Sequence, residues 1–338
     1  MEKPAFSALI LLKRWLILKT GGKVKIMVLA ERDHIVQVID TLANQHLQGK
    51  VRAVRLAIIA LLSGGHILLE DIPGLGKTTL ALALARVLGL SFGRIQCTSD
   101  LLPSDITGLS IYRREENRFE FMPGPIFNNL VLVDEINRAM PKTQSALLEA
   151  MEERRVTVEG TTHVLPEPFL VIATQNPVEQ IGTFPLPESQ LDRFNLCTGI
   201  GYPPAAVEKS IIGGGSVRDR IGRLQPLLSQ AQILNARAAL RKVHLGEKVV
   251  DYIHALVVAS REHAAVLTGV STRGAITLGE AGRAAAYLDG RDFVTPEDVK
   301  QVATATLAHR LILRPEHESL RKEDLLRLLL NDLPVPRA

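Results

Sequence analysis

Apolar residues follow two rhythms along this chain. Up to about residue 204 they gather into short unbroken runs: His66 to Glu70, Arg94 to Cys97, Leu130 to Asp134, Leu170 to Thr174 and Asn195 to Ile200. Each has the length of a strand buried on both faces, and helical or turn-rich stretches separate them, so the pattern predicts an α/β domain with a largely parallel sheet. Two helices are expected ahead of the first of these runs, Glu31 to Ala43 and Val51 to Leu62. In the latter, Arg52 and Arg55 are expected to face out, and Gly64 and Gly65 supply the stop. From Ala205 the rhythm changes to Ala, Leu, Arg and Glu at helical spacing, which predicts a second, all-helical domain. The boundary is placed at Tyr202 to Pro204, with Gly213 to Ser216 as the most linker-like point beyond it. The resulting division is 1–30 as an extension, 31–204 as the α/β domain and 205–338 as the helical domain.

The extension has its own pattern. Lys13 and Arg14 break its apolar run into pieces too short to cross a bilayer, and their place in mid-run does not fit a secretory signal. One expectation is that translation starts at Met27 and the preceding stretch is an over-long reading of the gene. The other is an added amphipathic segment, basic and apolar together, that docks on a membrane surface or a partner.

Composition narrows the function classes. At 338 residues, 46% hydrophobic and 22% charged, the chain suits an ordered protein of about two domains. The formal net charge is +4, but its 40 basic and 36 acidic residues are interspersed rather than gathered in a stripe, and aromatics make up only 4%. That combination argues against a nucleic-acid partner. Cys97 and Cys197 both lie in apolar stretches, which suits buried thiols in a reducing cytosol rather than a disulfide framework or a zinc site.

The most informative stretch runs from His66 to Ala85. A short strand is followed by a loop, Asp71 to Gly76, and then by Leu and Ala at helical spacing from Thr79. A nucleoside triphosphate needs unblocked backbone N–H groups converging on its phosphates, and Pro73, Gly74, Leu75 and Gly76 provide such a backbone. Lys77 would reach the terminal phosphates, Thr78 would offer its hydroxyl to Mg²⁺, and Thr79 opens a helix whose positive end faces the anion. The phosphate-loop pattern asks for Gly at position 71, where this chain has Asp.

A second apolar strand delivers Asp134 and Glu135 to its carboxyl end. Beside a phosphate loop, Asp134 could hold hydrated Mg²⁺ and Glu135 could polarise the attacking water. A third strand ends in Thr174, Gln175 and Asn176, and Asn176 could hydrogen-bond the water or the γ-phosphate. Arg193 sits between Asp192 and Phe194 at the end of a short helix. It reads either as half of a surface ion pair or as an arginine finger for a neighbouring subunit's γ-phosphate.

In the order and spacing of EDIPGLGKT, LVLVDEINRA, ALLEAMEERRVTVEG, ATQNP, LPESQLDRF, STRGAITL and GRDFVTPEDVKQVATATLAHRL, the chain resembles the MoxR family of AAA+ ATPases from about Leu42 to Leu313. The resemblance implies a P-loop AAA+ core with a hairpin inserted in its second helix, then a helical lid. It makes Lys77 and Thr78 the Walker A pair, Asp134 and Glu135 the Walker B pair, Asn176 sensor 1, Arg193 the finger in trans and Arg273 sensor 2. Arg273 is then expected at the γ-phosphate of its own subunit. Residues 107–125 resemble the inserted hairpin, and 154–168 a second hairpin before sensor 1, both facing a ring's central opening in relatives. The Asp71 variant is found in this family, which puts the first glycine's role in doubt rather than nucleotide binding. The implied function is ATP- and Mg²⁺-dependent remodelling of a protein client by a cytoplasmic hexameric ring, with a von Willebrand factor A-domain partner. Three other readings share the core: a magnesium-chelatase ATPase subunit, an ATP-dependent assembly switch and a nucleic-acid motor.

Overall fold

Five short apolar segments form one parallel sheet in the computed structural model, which describes residues 23–177, 182–213 and 221–336. The strands are β1 (Ile67–Glu70), β2 (Phe92–Gln96), β5 (Leu130–Asp134), β8 (Leu170–Gln175) and β9 (Leu196–Thr198). Their spatial order is β2-β5-β8-β1-β9. Successive residues in a strand point to opposite faces, and the core divides accordingly. Ile67, Leu69, Leu130, Leu132, Leu170 and Ile172 belong to one hydrophobic cluster, whereas Leu68, Val131, Val133, Val171 and Ala173 belong to another on the opposite face. That is why these runs show no polar alternation.

Residues 1–22 lie outside the described part, as does the Gly214 to Ser216 stretch, so the expectations for them have no structural counterpart here. The first described helix runs Lys23–Thr41, well before the expected start at Glu31, and closes in a π turn, Leu42–His46. Val51–Leu62 is helical as expected, but Arg55 does not face solvent freely. Its Nη2 lies 2.6 Å from Oδ1 of Asp289, which caps the end of a helix more than 200 positions later. The helix is apolar almost all round because lid helices cover the side that would otherwise meet water. Ile35, Val38, Val54 and Ile58 share a hydrophobic cluster with Leu256, Leu278, Ala285 and Val302, so the first two helices pack with the C-terminal half as well as with the sheet.

That half contains the helices Gln230–Leu240, Glu247–Glu262, Thr272–Leu288, Pro296–Leu307 and Lys322–Asp332. Ser229, Ser271 and Thr295 cap three of them, each side-chain oxygen accepting from a backbone N–H of the first turn. A small antiparallel pair, β10 (Val266–Thr268) with β11 (Ile312–Leu313), interrupts the helices.

Both hairpins form. β3 (Gly108–Arg113) pairs with β4 (Arg118–Pro123), and β6 (Arg155–Val158) with β7 (Thr161–Val164). Positive φ at Glu159 and Gly160 gives the second the turn whose twist matches its strands. Phe121 stacks on His163 with ring centroids 3.8 Å apart, tying one hairpin to the other. The first hairpin leaves Leu109, Ile111, Tyr112, Phe119 and Met122 exposed.

Leu132 is fully buried in the central part of the sheet. Leu132→Ala is expected to cost about 2–5 kcal/mol through lost transfer energy and a residual cavity. Urea unfolding followed by circular dichroism checks this, as a lowered midpoint with unchanged slope.

Candidate active site

Parallel pairing brings the carboxyl ends of β1, β5 and β8 side by side, with Glu70 opposite Gln175 and Val133 opposite Ala173. Whatever follows each strand therefore meets at one edge. Here it is the phosphate loop, the two acids and Asn176, and they enclose a cleft of about 380 Å³ lined by Pro73, Gly74, Gly76, Lys77, Thr78, Thr79, Arg94, Asp134, Glu135 and Asn176. Leu75 belongs to the loop but not to the lining.

Gly74 and Gly76 have φ of +86° and +92°, and a Cβ built on Gly74 would meet nothing within 4 Å. The first fact requires glycine for conformational reasons; the second shows open space beside the loop where a ligand can approach the main chain. Lys77 Nζ donates to the Asp71 carbonyl at 2.5 Å. Burial pulls the Lys77 ammonium below the ordinary lysine value, opposed by the charges of Asp71, Asp134 and Glu135.

Thr78 Oγ1 lies 3.5 Å from Asp134 Oδ2, so hydroxyl and carboxylate already face a common point. This donor set, one hydroxyl and one carboxylate at the phosphate end of a loop, fits Mg²⁺, which keeps several waters and takes few protein ligands. Asp134 is oriented from behind: Thr174 donates to its Oδ1 at 2.8 Å while accepting from the Glu135 N–H at 2.9 Å. Thr174 is completely buried.

Glu135 has φ of +57°, a left-handed conformation that costs a non-glycine residue of order 1 kcal/mol or more. The Thr174 hydroxyl holds it there, and the strained turn aims the carboxylate into the cleft. Its Oε2 accepts from Gln96 Nε2 at 3.2 Å and Arg138 Nη1 at 3.3 Å. Arg94 Nη2 bridges Asp134 Oδ2 at 2.9 Å and Gln96 Oε1 at 2.7 Å. Thr174, Arg94, Gln96 and Arg138 are site residues that the sequence reading did not single out for roles. The polar phase of β2, where Arg94 and Gln96 are exposed and Gly93 and Ile95 buried, is the signal that could have found two of them.

Arg193 and Arg273 lie elsewhere. Arg193 Nη1 is 3.2 Å from Glu152 Oε2, and Arg273 Nη2 donates to Oε1 of the same carboxylate. Arg273's hydrogen bond holds that carboxyl below the usual range. The group sits at the opposite end of the sheet: the Met151 carbonyl beside Glu152 contacts His66 Nε2 at 3.2 Å, and Asn195 donates to the His66 carbonyl at 2.9 Å. His66 precedes β1 and the phosphate loop follows it, a separation of about 15 Å at strand rise. The expectation that Arg273 reaches the γ-phosphate of its own subunit is therefore corrected. The lid seats it beside Arg193, because buried Arg310 anchors this part of the lid to Asp192 at 2.6 Å. Glu152 is thus shared by two guanidiniums, with Glu149 and Glu153 beside Arg193 in the same pocket.

Cys97 is buried near the acids, its thiol pushed up to about 12 by burial. Cys197 is only partly covered, with its thiol also raised by burial. Among the described residues there is no cluster of metal-ligating side chains of the His, Cys, Asp and Glu kind.

Residues 66–196 match the ATPase family associated with various cellular activities (AAA), and residues 258–328 match the AAA lid domain. YeaC of Bacillus subtilis is 46% identical over 87% of this chain and 92% of its own length. Chaperone MoxR1 of Mycobacterium tuberculosis is 41% identical over 78% of this chain and 72% of its own, and protein MoxR of Paracoccus denitrificans 32% identical over 87% and 94%. The crystal structure of a candidate ATPase from Cytophaga hutchinsonii superposes with a TM-score of 0.84 at 39% identity, covering 92% of this chain and 97% of that one.

Proposed function

This chain belongs to the MoxR family of AAA+ ATPases, and we propose that it hydrolyses ATP in a hexameric ring of like subunits to remodel a protein client. The observation that carries this reading is the separation of the hydrolytic groups. Loop, acids and Asn176 sit at one end of the sheet, whereas Arg193 and Arg273 sit at the other, about 15 Å away on strand rise. One chain cannot close its own site with both ends, but a head-to-tail neighbour can, and repetition of that contact generates a ring when the rotation closes.

Within the cleft, Lys77 and the loop N–H groups would bind the phosphates, and Thr78 and Asp134 would hold Mg²⁺. The metal, when bound, supplies positive charge to the phosphate oxygens. Glu135 would take the proton of the attacking water, with Gln96 and Arg138 fixing its carboxylate and Asn176 placing the water. Arg193 and Arg273 of the adjacent subunit would meet the charge that develops on the terminal phosphate.

The exposed apolar residues of the β3–β4 hairpin support a client-contacting role for that face, and the stacking of Phe121 on His163 would move both hairpins together. The name of the mycobacterial relative, chaperone MoxR1, supports the chaperone-like reading. A von Willebrand factor A-domain protein is the proposed partner and the cytosol the proposed location; no described helix is long and apolar enough to cross a membrane.

The test is ATPase rate against protein concentration, with sedimentation of the same samples. Specific activity is expected to rise as the ring assembles. Equal turnover per subunit in dilute monomer would refute the shared site, and assembly without turnover would favour a nucleotide-dependent switch.

A further inference from the structure

Asp71 stands where the phosphate-loop pattern has glycine, and its contacts give it work that glycine could not do. Its Oδ2 accepts from the backbone N–H groups of Ile200 at 2.8 Å and Gly201 at 2.7 Å. Those residues belong to the strap, 199–204, that joins the end of β9 to the helix Ala205–Ile212 and so leads out of the sheet toward the lid. The strap is held from its other side as well, since Lys50 Nζ donates to the Gly201 carbonyl. Gly199 lies close against the same carboxylate, where an added Cβ would stand 3.2 Å from Oδ2. The main chain of Asp71 faces the opposite way: its carbonyl accepts from Lys77 Nζ at 2.5 Å, and its N–H donates to the Gln175 carbonyl at 3.2 Å.

One residue thus touches the lysine of the phosphate loop with its backbone and the exit strap with its side chain. Lys77 has three N–H donors, and a phosphate oxygen arriving in the loop would draw on them and re-aim the ammonium, so filling the loop alters its bond to the Asp71 carbonyl. A carboxylate accepting two N–H groups is a short, charge-assisted connection, well suited to carry that change across to the strap. We propose that Asp71 is a positioning residue that couples occupancy of the phosphate loop to the 199–204 strap. The inference rests on the nucleotide-binding reading of the cleft and adds a route by which that site is read out.

The test is hydrogen exchange of the full-length protein with and without adenylyl imidodiphosphate and Mg²⁺, followed in peptides spanning 199–212. In the parent, nucleotide is expected to change exchange in this segment. Asp71→Gly restores the common phosphate-loop residue, so it is expected to bind nucleotide within about threefold of the parent. Its Ile200 and Gly201 amides should exchange faster even without nucleotide, and the nucleotide response of 199–212 should vanish. Asp71→Asn, which keeps an acceptor oxygen, should retain the response. In steady state Asp71→Gly should lose about tenfold in kcat with KM little changed, the split expected when coupling rather than binding is lost. A response of 199–212 that persists in Asp71→Gly would overturn the proposal, as would a parent that binds nucleotide without any change there. Failure of the parent to bind nucleotide at all would instead strike the underlying reading of the cleft.

Discussion

Glu135→Gln is expected to bind ATP as the parent does but to turn it over about 10²–10⁴-fold more slowly, the range for loss of a positioned general base. The substitution keeps the side chain's size and one of its carbonyl oxygens, so the strained turn at φ of +57° and the hydrogen bond from its N–H to Thr174 are retained. What disappears is an oxygen able to take a proton. The loop, Lys77, Thr78 and Asp134 are untouched, and binding should survive because none of their contacts runs through the Glu135 carboxylate. With ATP bound and uncleaved, the assembled ring should persist at protein concentrations where the parent dissociates. Phosphate release, nucleotide titration and sedimentation on one preparation check the three parts. Normal turnover in Glu135→Gln refutes the water-activating assignment, whereas lost binding would show that Gln96 and Arg138 need the charge to keep the cleft open.

The elements that carry chemistry on contiguous sequence were legible before the fold was. His66 to Lys77 declares a strand, a turn with unblocked main chain and a helix start, and Leu130 to Glu135 declares a strand ending in two acids; both are local patterns, and the structure places them together in one cleft. Thr174 was visible only as a polar residue after an apolar run. Its role depends on β8 lying beside β5 with Val133 opposite Ala173, a register set by the whole sheet. Arg94 and Asp134 are 40 positions apart, and nothing local to either indicates that β2 and β5 are neighbours. The periodicity of its own helix turns Arg55 toward solvent, and nothing local to it indicates that a lid carrying Asp289 covers that side. The motif alone likewise places Arg273 at the γ-phosphate of its own subunit, whereas the lid seats it beside Arg193 on Glu152. A motif identifies the residue, but the packing of the lid, fastened through Arg310 to Asp192, decides where in the fold it stands.

Arg193→Ala should bind ATP normally and lose about 10³–10⁵-fold in turnover, the range associated with an arginine finger. Normal binding is expected because Arg193 is absent from the lining of its own cleft and pairs instead with Glu152 at the other end of the sheet. The geometry makes a stronger demand than a loss of rate. Lys77→Ala removes the cation of the phosphate loop and should bind no nucleotide, yet it presents an intact Arg193 and Arg273. Arg193→Ala presents an intact cleft and lacks the finger. Each preparation is inactive alone, but in a mixed ring the interfaces where Lys77→Ala supplies the arginine to an Arg193→Ala cleft hold a full set of groups. Activity should therefore rise on mixing and reach its maximum near equal proportions. A double variant carrying both changes in one chain should rescue neither. If mixing restores nothing although sedimentation shows mixed rings, the arginine acts within its own subunit or only supports the fold, and the shared site is refuted.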